Sequence, residues 1–335
     1  MSEIYRIFGS EMSPYSVKAR SYFRYKQIPH EWLLRNGEQL EEYKKYARLP
    51  IVPTVATPED EGLQDSTPIM EAMEEKFPGP SIYPDDPDLR FLSQLLEEFG
   101  DEWGNKWMFH YRWKREVDQV ATAKRLVAEM MPGATEEQMA PMVNQVQERM
   151  SGRIGVVGSN ETTSPVIERS FKEGIGLLEE HLAHRPYLFG GRPSFGDFGL
   201  AAQINAASTD PTAGGILRES APLVSAWHER MLDPSAEGAF EPAEVICESL
   251  EPFLNGPVRH FLTWSAANAE AIAQGSEEMQ TEVDGQPWVQ SVGGPQKYHA
   301  KSLKELRRKF GSVPDSPALT NLLDRTGCLR WLSEA

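Results

Sequence analysis

The sequence contains little cysteine: Cys247 and Cys328 are the only two among 335 residues. Their spacing does not match a disulfide framework or a zinc site, so we do not expect an oxidising compartment or structural zinc. The sequence also lacks an apolar run long enough to span a membrane, and it does not begin with the basic-then-apolar pattern of a signal peptide. We therefore expect a cytoplasmic protein with no membrane partner.

A surplus of basic residues is absent too. Asp and Glu total 50, Lys and Arg total 34, and the formal net charge is −16. Proteins that bind nucleic acid neutralise phosphates with positive side chains, so we expect no nucleic-acid partner. We also expect no metal site. His181 and His184 share a predicted helical face without a recognisable third ligand, which favours solvated histidines near a helix end.

The first 80 residues differ in pattern from the rest. Short apolar runs over residues 4–8, 31–34, 54–56 and 62–64 alternate with helical patterns over 14–25, 39–47 and 68–77. After a proline-rich stretch the pattern is helical almost throughout, including one helix over 89–116. The sequence thus predicts an α/β domain over 1–80, a linker over 81–90, an all-helical domain over 91–250 and a C-terminal helical extension over 251–335.

Four motifs stand in an order that resembles the glutathione S-transferase superfamily. They are Ser13-Pro14-Tyr15-Ser16 after the first strand, Val52-Pro53 before the third, Gln64-Asp65-Ser66 at a helix start, and Ser194 to Asp197 at a later helix start. The resemblance implies a thioredoxin-like N-terminal domain followed by an all-α helical bundle. It also implies glutathione as co-substrate and a homodimer. The last motif has the spacing of a capping box, for which we expect a purely structural role.

Val52 precedes Pro53 at the start of the third predicted strand, where a proline is tolerated because its nitrogen need not join the hydrogen-bond ladder. One interpretation is a proline that merely starts a strand. The resemblance implies another, a cis bond at Pro53 with the backbone of Val52 pairing with the cysteinyl part of glutathione.

Asp65, Ser66 and Thr67 precede Pro68 at the next helix start. Ser66 or Thr67 can cap that helix, with proline in its first turn. The same helix end can bind an anion, because its first amides are unpaired and its dipole is positive there. The resemblance implies that Asp65 and Ser66 hold the γ-glutamyl end of glutathione.

Ser13 lies before Pro14 at the start of the first predicted helix, where serine is a good cap. A hydroxyl there can also donate to a thiolate held at the positive end of the helix. The resemblance implies this second role, stabilisation of the glutathione thiolate. Ser10 and Ser16 are the alternatives, and we prefer Ser13 because Ser10 lies on the strand side and Ser16 in the first helical turn.

Ser13 stands where glutaredoxins and omega-like transferases have cysteine. Serine cannot form a mixed disulfide with glutathione, so we do not expect thiol-transferase activity. The resemblance adds Tyr15 and Lys45 to the glutathione-binding residues, Lys45 for the glycine carboxylate. Arg48 is the competitor of Lys45, and either one can instead be a solvated surface charge.

Trp103, Trp107 and Tyr111 recur every four residues on one helical face. Such a stripe is typical of a buried core. The resemblance places it where family members line the pocket for the electrophile, and we treat that pocket as the second interpretation. Asp101 and Arg112 are candidates for a buried ion pair that supports this helix.

The extension carries Trp288 and Tyr298 on either side of Gly293-Gly294. These aromatic residues suggest a lid over the pocket; an added helix packed on the core is the alternative. The sequence therefore predicts a glutathione transferase-like enzyme that stabilises the glutathione thiolate for attack on a small electrophile. The alternative function is a non-catalytic glutathione-binding or scaffold protein of the same fold.

Overall fold

The computed structural model describes residues 4–37, 39–294 and 296–333. Its N-terminal part alternates strands and helices, as the sequence predicts. The elements are β1 (Tyr5–Gly9), α1 (Pro14–Tyr25), β2 (His30–Leu34), α2 (Gln39–Tyr46), β3 (Thr54–Ala56), β4 (Gly62–Gln64) and α3 (Ser66–Lys76).

The four strands form one mixed sheet in the order β2-β1-β3-β4. β1 runs parallel to β2, with α1 as the crossover, and antiparallel to β3, which is antiparallel to β4. Ile7 and its partner Val55 are buried in the same cluster as residues of α1 and α3, whereas Phe8 packs with Tyr43 of α2. Neighbouring residues of β1 therefore bury opposite faces of the sheet.

The second part is helical. Its elements are α4 (Pro87–Phe99), a π-helical turn (Gly100–Gly104), α5 (Asn105–Lys114), α6 (Glu116–Met130), α7 (Glu136–Ser151), a 3₁₀ turn (Ile154–Val157), α8 (Ser164–Leu182), α9 (Phe195–Ser208), α10 (Pro211–Ser220) and α11 (Pro222–Arg230). The predicted α/β domain followed by a helical bundle is confirmed.

The single helix predicted over 89–116 is interrupted by the π-helical turn. Gly100 begins this turn, and a Cβ atom there would lie 2.6 Å from the backbone nitrogen of Leu200 in α9. Glycine therefore permits the close approach of the two helices. At the start of α9, Ser194 and Asp197 form the predicted capping box, with Asp197 also accepting from the indole of Trp227 at 2.8 Å.

The C-terminal part contains α12 (Ala243–Phe253), a second π-helical turn (Leu254–Val258), α13 (Arg259–Ala273), β5 (Glu278–Val283), β6 (Gln286–Ser291), α14 (Gln296–Gly311), α15 (Pro317–Arg325) and α16 (Leu329–Ser333). The extension, predicted to be helical, thus also contains a β-hairpin. Asp284 and Gly285 form its turn with φ of 52° and 65°. This Asp-Gly pair is a known hairpin signal and was available in the sequence.

Across residues 4–37, 39–294 and 296–333, no helix combines the length and apolarity needed to cross a membrane.

Lys18 of α1 is fully buried and connects three elements. Its ammonium donates to Glu97 of α4, to Asp101 of the first π-helical turn at 2.7 Å, and to Thr67 of α3 at 2.9 Å. Burial disfavours the ammonium, but Asp101 and Glu97 outweigh it and raise the pKa of Lys18. Lys18 therefore fixes the α/β part against the helical part.

We predict that Lys18→Met lowers the free energy of unfolding by about 3–5 kcal/mol, because it leaves the buried Glu97 and the largely buried Asp101 without their cation. Urea denaturation measures this change. Lys44→Met is the matched control, since Lys44 pairs with Glu41 while their side chains are 56% and 78% exposed, and its effect should stay below about 1 kcal/mol. Equal effects of the two substitutions would contradict the assignment.

Candidate functional site

Ser13 forms the turn between β1 and α1. Its backbone is extended (φ −98°, ψ 114°), and its Oγ accepts a hydrogen bond from the amide of Ser16 at 3.3 Å, with Pro14 at the helix start. The predicted cap is confirmed. Because the cap uses a lone pair of the oxygen, the hydroxyl hydrogen remains available to donate. The side chain is partly exposed, so a ligand can reach it.

The two alternatives to Ser13 are placed less well. The side chain of Ser16 is 0% exposed, and its Oγ has no hydrogen-bond partner among the described residues. Ser10 accepts from the amide of Met12 at 3.1 Å and belongs to the turn itself. Burial therefore disfavours Ser16. Ser10 and Ser13 are both partly exposed, and the position of Ser13 at the N-terminus of α1 favours it as the donor to a ligand.

Tyr15 donates its hydroxyl to the backbone oxygen of Asp101 at 2.9 Å. Burial, together with Asp101 and Asp65, raises the pKa of Tyr15 well above its ordinary value. The phenol therefore stays protonated and its single proton is engaged within the protein. A contact between Tyr15 and glutathione stays a prediction, and it would have to use another part of the side chain or the backbone.

The turn before Ser13 is held by the helical part. Arg112 of α5 donates to the backbone oxygen of Met12 at 3.0 Å and pairs with Asp210 at 2.9 Å. The predicted ion pair between Arg112 and Asp101 is therefore wrong, because Asp101 pairs with Lys18 instead.

The Val52–Pro53 peptide bond is cis, as the resemblance implies. Gln64, at the end of β4, holds the loop that precedes the Val52–Pro53 bond. Its Nε2 donates to the backbone oxygens of Leu49 at 2.7 Å and Ile51 at 3.1 Å, and its Oε1 accepts from the amide of Leu49 at 3.0 Å. One polar side chain thus fixes the path of the backbone into Val52.

Asp65 and Ser66 lie where α3 begins. The amide of Asp65 donates to the backbone oxygen of Pro53 at 3.4 Å, which joins the cis-proline loop to the helix start. Asp65 has φ of 80°, a region that residues other than glycine adopt rarely, and its side chain makes no capping bond. The Asp65 carboxylate therefore lies at the N-terminus of α3 without capping the helix.

Ser66 and Thr67 were the predicted caps, and neither caps the helix. Ser66 is the first helical residue; it is 0% exposed, and its Oγ is unpartnered within the described part of the chain. Thr67 donates to Glu97 at 2.5 Å. A buried hydroxyl without a partner is costly, and the first amides of a helix have no intrahelical acceptor. This end of α3 therefore combines a buried hydroxyl and helix-start amides, which are groups that bind anions, with a carboxylate, which binds cations.

The two aromatic residues predicted for a lid have different environments. Trp288 of β6 is 0% exposed and packs on Trp103 with ring centroids 5.5 Å apart. Tyr298 of α14 is 50% exposed, and its hydroxyl donates to the carboxylate of Asp65. One residue thus belongs to the core, and the other contacts the candidate site.

Trp103, Trp107 and Tyr111 are core residues. They are 0–1% exposed, and the indole nitrogens of both tryptophans donate to Ser170 of α8 at 2.8 and 3.2 Å. Tyr111 packs on Phe171 with ring centroids 4.8 Å apart. The pocket interpretation does not fit this packing, because side chains enclosed by α8 and the hairpin have no surface for a ligand.

Lys45, in the last turn of α2, and Arg48 are both exposed. Exposure is compatible with a solvated charge and with a ligand contact, so the role of Lys45 stays a prediction.

His181, predicted to be solvated, is 3% exposed and lies 2.8 Å from the backbone oxygen of Leu188. Burial lowers the pKa of His181 to about 4 and keeps it neutral.

Sequence reasoning missed the positioning residues Lys18 and Gln64. A signal for Lys18 was present, because it is the only charged residue on the face of α1 that carries Pro14, Tyr22 and Tyr25. A single charge on such a face indicates a buried partner. The sequence carried no comparable signal for the contacts of Gln64.

Two family models match the chain. One is described as the glutathione S-transferase N-terminal domain and matches residues 7–81; the other is the glutathione S-transferase C-terminal domain and matches residues 139–230. A search of curated proteins found no match.

Several solved structures are similar in fold. A glutathione S-transferase from Methylobacterium radiotolerans, in complex with glutathione sulfonate, has 18% identity and a TM-score of 0.44; the match covers 72% of this chain and 99% of that one. A Tau class enzyme from mango, Mangifera indica, has 17% identity and a TM-score of 0.39, with coverage of 73% and 96%. A glutathione S-transferase from Methylobacillus flagellatus with glutathione bound has 16% identity and a TM-score of 0.40, with coverage of 73% and 98%.

We predict that Gln64→Leu loosens the loop before Val52 without unfolding the protein, because it removes both donors and the acceptor that hold Leu49 and Ile51. Hydrogen–deuterium exchange should become faster at the amide of Leu49. Gln280→Leu is the control, since Gln280 is exposed on the hairpin and its side chain donates to the nearby Glu278. Unchanged exchange at Leu49 would show that Gln64 does not hold the loop.

Proposed function

The chain belongs to the glutathione S-transferase superfamily, and we propose that it binds glutathione across the starts of α1 and α3 and stabilises its thiolate for attack on an electrophilic small molecule. The observation that carries the proposal is the α3 start. There Ser66, whose hydroxyl has no hydrogen-bond partner within residues 4–37, 39–294 and 296–333, follows Asp65 and lies next to the cis-proline loop.

The γ-glutamyl end of glutathione carries an α-carboxylate and an α-ammonium group. In our proposal the carboxylate accepts from the Ser66 hydroxyl and from the first amides of α3, where the helix dipole favours a negative charge. The ammonium pairs with Asp65. This orientation supplies the buried Ser66 hydroxyl with an acceptor, the α-carboxylate of glutathione. It also gives each charged group of the ligand its own partner: the helix start for the carboxylate and Asp65 for the ammonium.

The middle of glutathione then lies along the cis-proline loop. We propose that the backbone of Val52 pairs with the cysteinyl residue, as an added strand would. The hydrogen bonds of Gln64 to Leu49 and Ile51 support this role, because they hold the loop in one path before a ligand arrives. Lys45 is the proposed partner of the glycine carboxylate.

The cysteinyl sulfur is directed toward Ser13. Free thiols ionise near pH 8.5, so most glutathione is protonated at neutral pH. A hydrogen bond from the Ser13 hydroxyl, added to the dipole of α1, is expected to lower the thiol pKa by about one to two units. The free hydroxyl hydrogen of Ser13 supports this step, since its cap role uses only the oxygen.

Thiol transfer through the protein's own sulfur is not part of the proposal. Serine occupies position 13, and burial raises the pKa of Cys247 and of Cys328 to about 11. Neither thiol is a ready nucleophile at neutral pH.

We propose a cytoplasmic homodimer. Glutathione binding without turnover is the second candidate function, favoured by the enclosure of Trp103 and Trp107 in the core.

We predict that Ser66→Ala weakens glutathione binding about 10- to 100-fold, because it removes a hydrogen bond to a charged group. Isothermal titration calorimetry at neutral pH measures the dissociation constant. Ser164→Ala is the control, because Ser164 is also a buried helix-start serine but its hydroxyl already has partners within the protein, Asn160 and Ser159. If wild-type protein and Ser66→Ala bind equally well, or if neither binds, the proposed site is wrong.

We predict that Ser13→Ala still binds glutathione but no longer lowers its thiol pKa, as followed by ultraviolet absorbance of the thiolate against pH. Loss of the cap should destabilise the fold by about 1 kcal/mol, so stability is measured in parallel. Ser13→Gly, which costs a cap only a few tenths of a kcal/mol, separates the two effects. A thiol pKa that stays depressed in both variants would exclude Ser13 as the donor.

A further inference from the structure

The C-terminal extension reaches the proposed glutathione site through α14. This helix packs against α4 and α13, with Leu303 and Leu306 buried at 1% and 2% exposure. Lys309 pairs with Glu71 of α3 at 2.8 Å, and His299 lies against Glu102 of the first π-helical turn. The helix is therefore anchored independently of Tyr298.

Tyr298 does not serve as a core residue of this helix. It is 50% exposed, and its hydroxyl donates to Oδ2 of Asp65, 233 residues away in the chain. Burial of the phenol and the charge of Asp65 raise the pKa of Tyr298, so its hydroxyl remains a donor at neutral pH. The contact with Asp65 is thus the specific interaction of this side chain.

Asp65 is also the residue to which we assign the ammonium of glutathione. The adjacent Ser66 is 0% exposed while Tyr298 occupies the carboxylate. Ser66 has no accessible surface in this arrangement, so glutathione binding requires a local rearrangement of the α3 start as well as departure of the Tyr298 hydroxyl from Asp65.

We propose that Tyr298 is an internal competitor for Asp65: its hydroxyl occupies the carboxylate that the γ-glutamyl ammonium of glutathione needs, and must turn away for glutathione to bind. This inference rests on the proposed function. It makes Tyr298, which belongs to the extension, a determinant of affinity at a site formed by the α/β part. The expected route is rotation of the half-exposed side chain, with α14 remaining in place.

Replacement of the Tyr298 hydroxyl by the ammonium leaves no polar group without a partner. Asp65 loses a hydrogen bond from a neutral phenol and gains an ion pair with an ammonium, while the phenol hydrogen-bonds to water. A cationic amine is therefore the group best suited to displace Tyr298. Removal of the hydroxyl alone should relieve the competition and leave the ion pair unchanged.

The test is isothermal titration calorimetry of the full chain with glutathione, comparing wild type, Tyr298→Phe and Tyr298→Ala. We expect both variants to bind glutathione about three- to tenfold more tightly than wild type, since one hydrogen bond to Asp65 no longer competes. Thermal unfolding verifies that the variants are folded. Lys309→Gln is the matched control, because it removes another contact of α14 and leaves Tyr298 on Asp65; its affinity should stay within about twofold of wild type.

Two results would overturn the inference alone. If wild type binds glutathione and both Tyr298 variants bind equally or more weakly, the hydroxyl is a spectator or assists the ligand. If Lys309→Gln tightens binding as much as Tyr298→Phe, anchoring of α14 and not the hydroxyl sets the affinity. If neither wild type nor any variant binds glutathione, the proposed function fails and the inference fails with it.

Discussion

The buried ammonium of Lys18 is the interaction on which the rest of the site depends. It contacts α3 through Thr67, α4 through Glu97 and the first π-helical turn through Asp101. An ammonium without exposed surface is stable only where carboxylates surround it, so these elements cannot shift independently. The starts of α1 and α3 are thereby held beside one another, and the helical part fixes the geometry of the proposed site, whose residues lie in the α/β part.

The two helix starts show different relations between structure and function. At α1 the hydroxyl of Ser13 caps the helix with its oxygen and keeps its hydrogen, so one side chain can serve both purposes. At α3 no side chain caps the helix: Asp65 is held at φ of 80° and Ser66 has no partner among the described residues. Strain and an unpaired hydroxyl at one helix end are typical of a ligand site, because a bound ligand compensates for both.

Local patterns predicted the fold well and the site in part. Alternation of strands and helices predicted the α/β part, and the serine-proline pair predicted that Ser13 caps α1. The cis bond at Pro53 was implied by the family resemblance and not by a local pattern. Local patterns failed where contacts join distant segments: the partners of Lys18, the enclosure of Trp103 by the hairpin, and the contact of Tyr298 with Asp65. Helical periodicity reports which face is apolar but not what covers it. An aromatic residue near a glycine pair, such as Trp288, can be a core residue and not part of a lid.

Hydrogen–deuterium exchange of the wild-type protein, with and without saturating glutathione, tests the central claim most directly. Bound glutathione should slow exchange at the amide of Val52 and at the first amides of α3, residues 66 and 67, because in our proposal the ligand accepts from them. Exchange in the distant α7 should be unaffected. Protection confined to another part of the chain, or none at saturating glutathione, would contradict the claim that the α3 start and the cis-proline loop form the glutathione site.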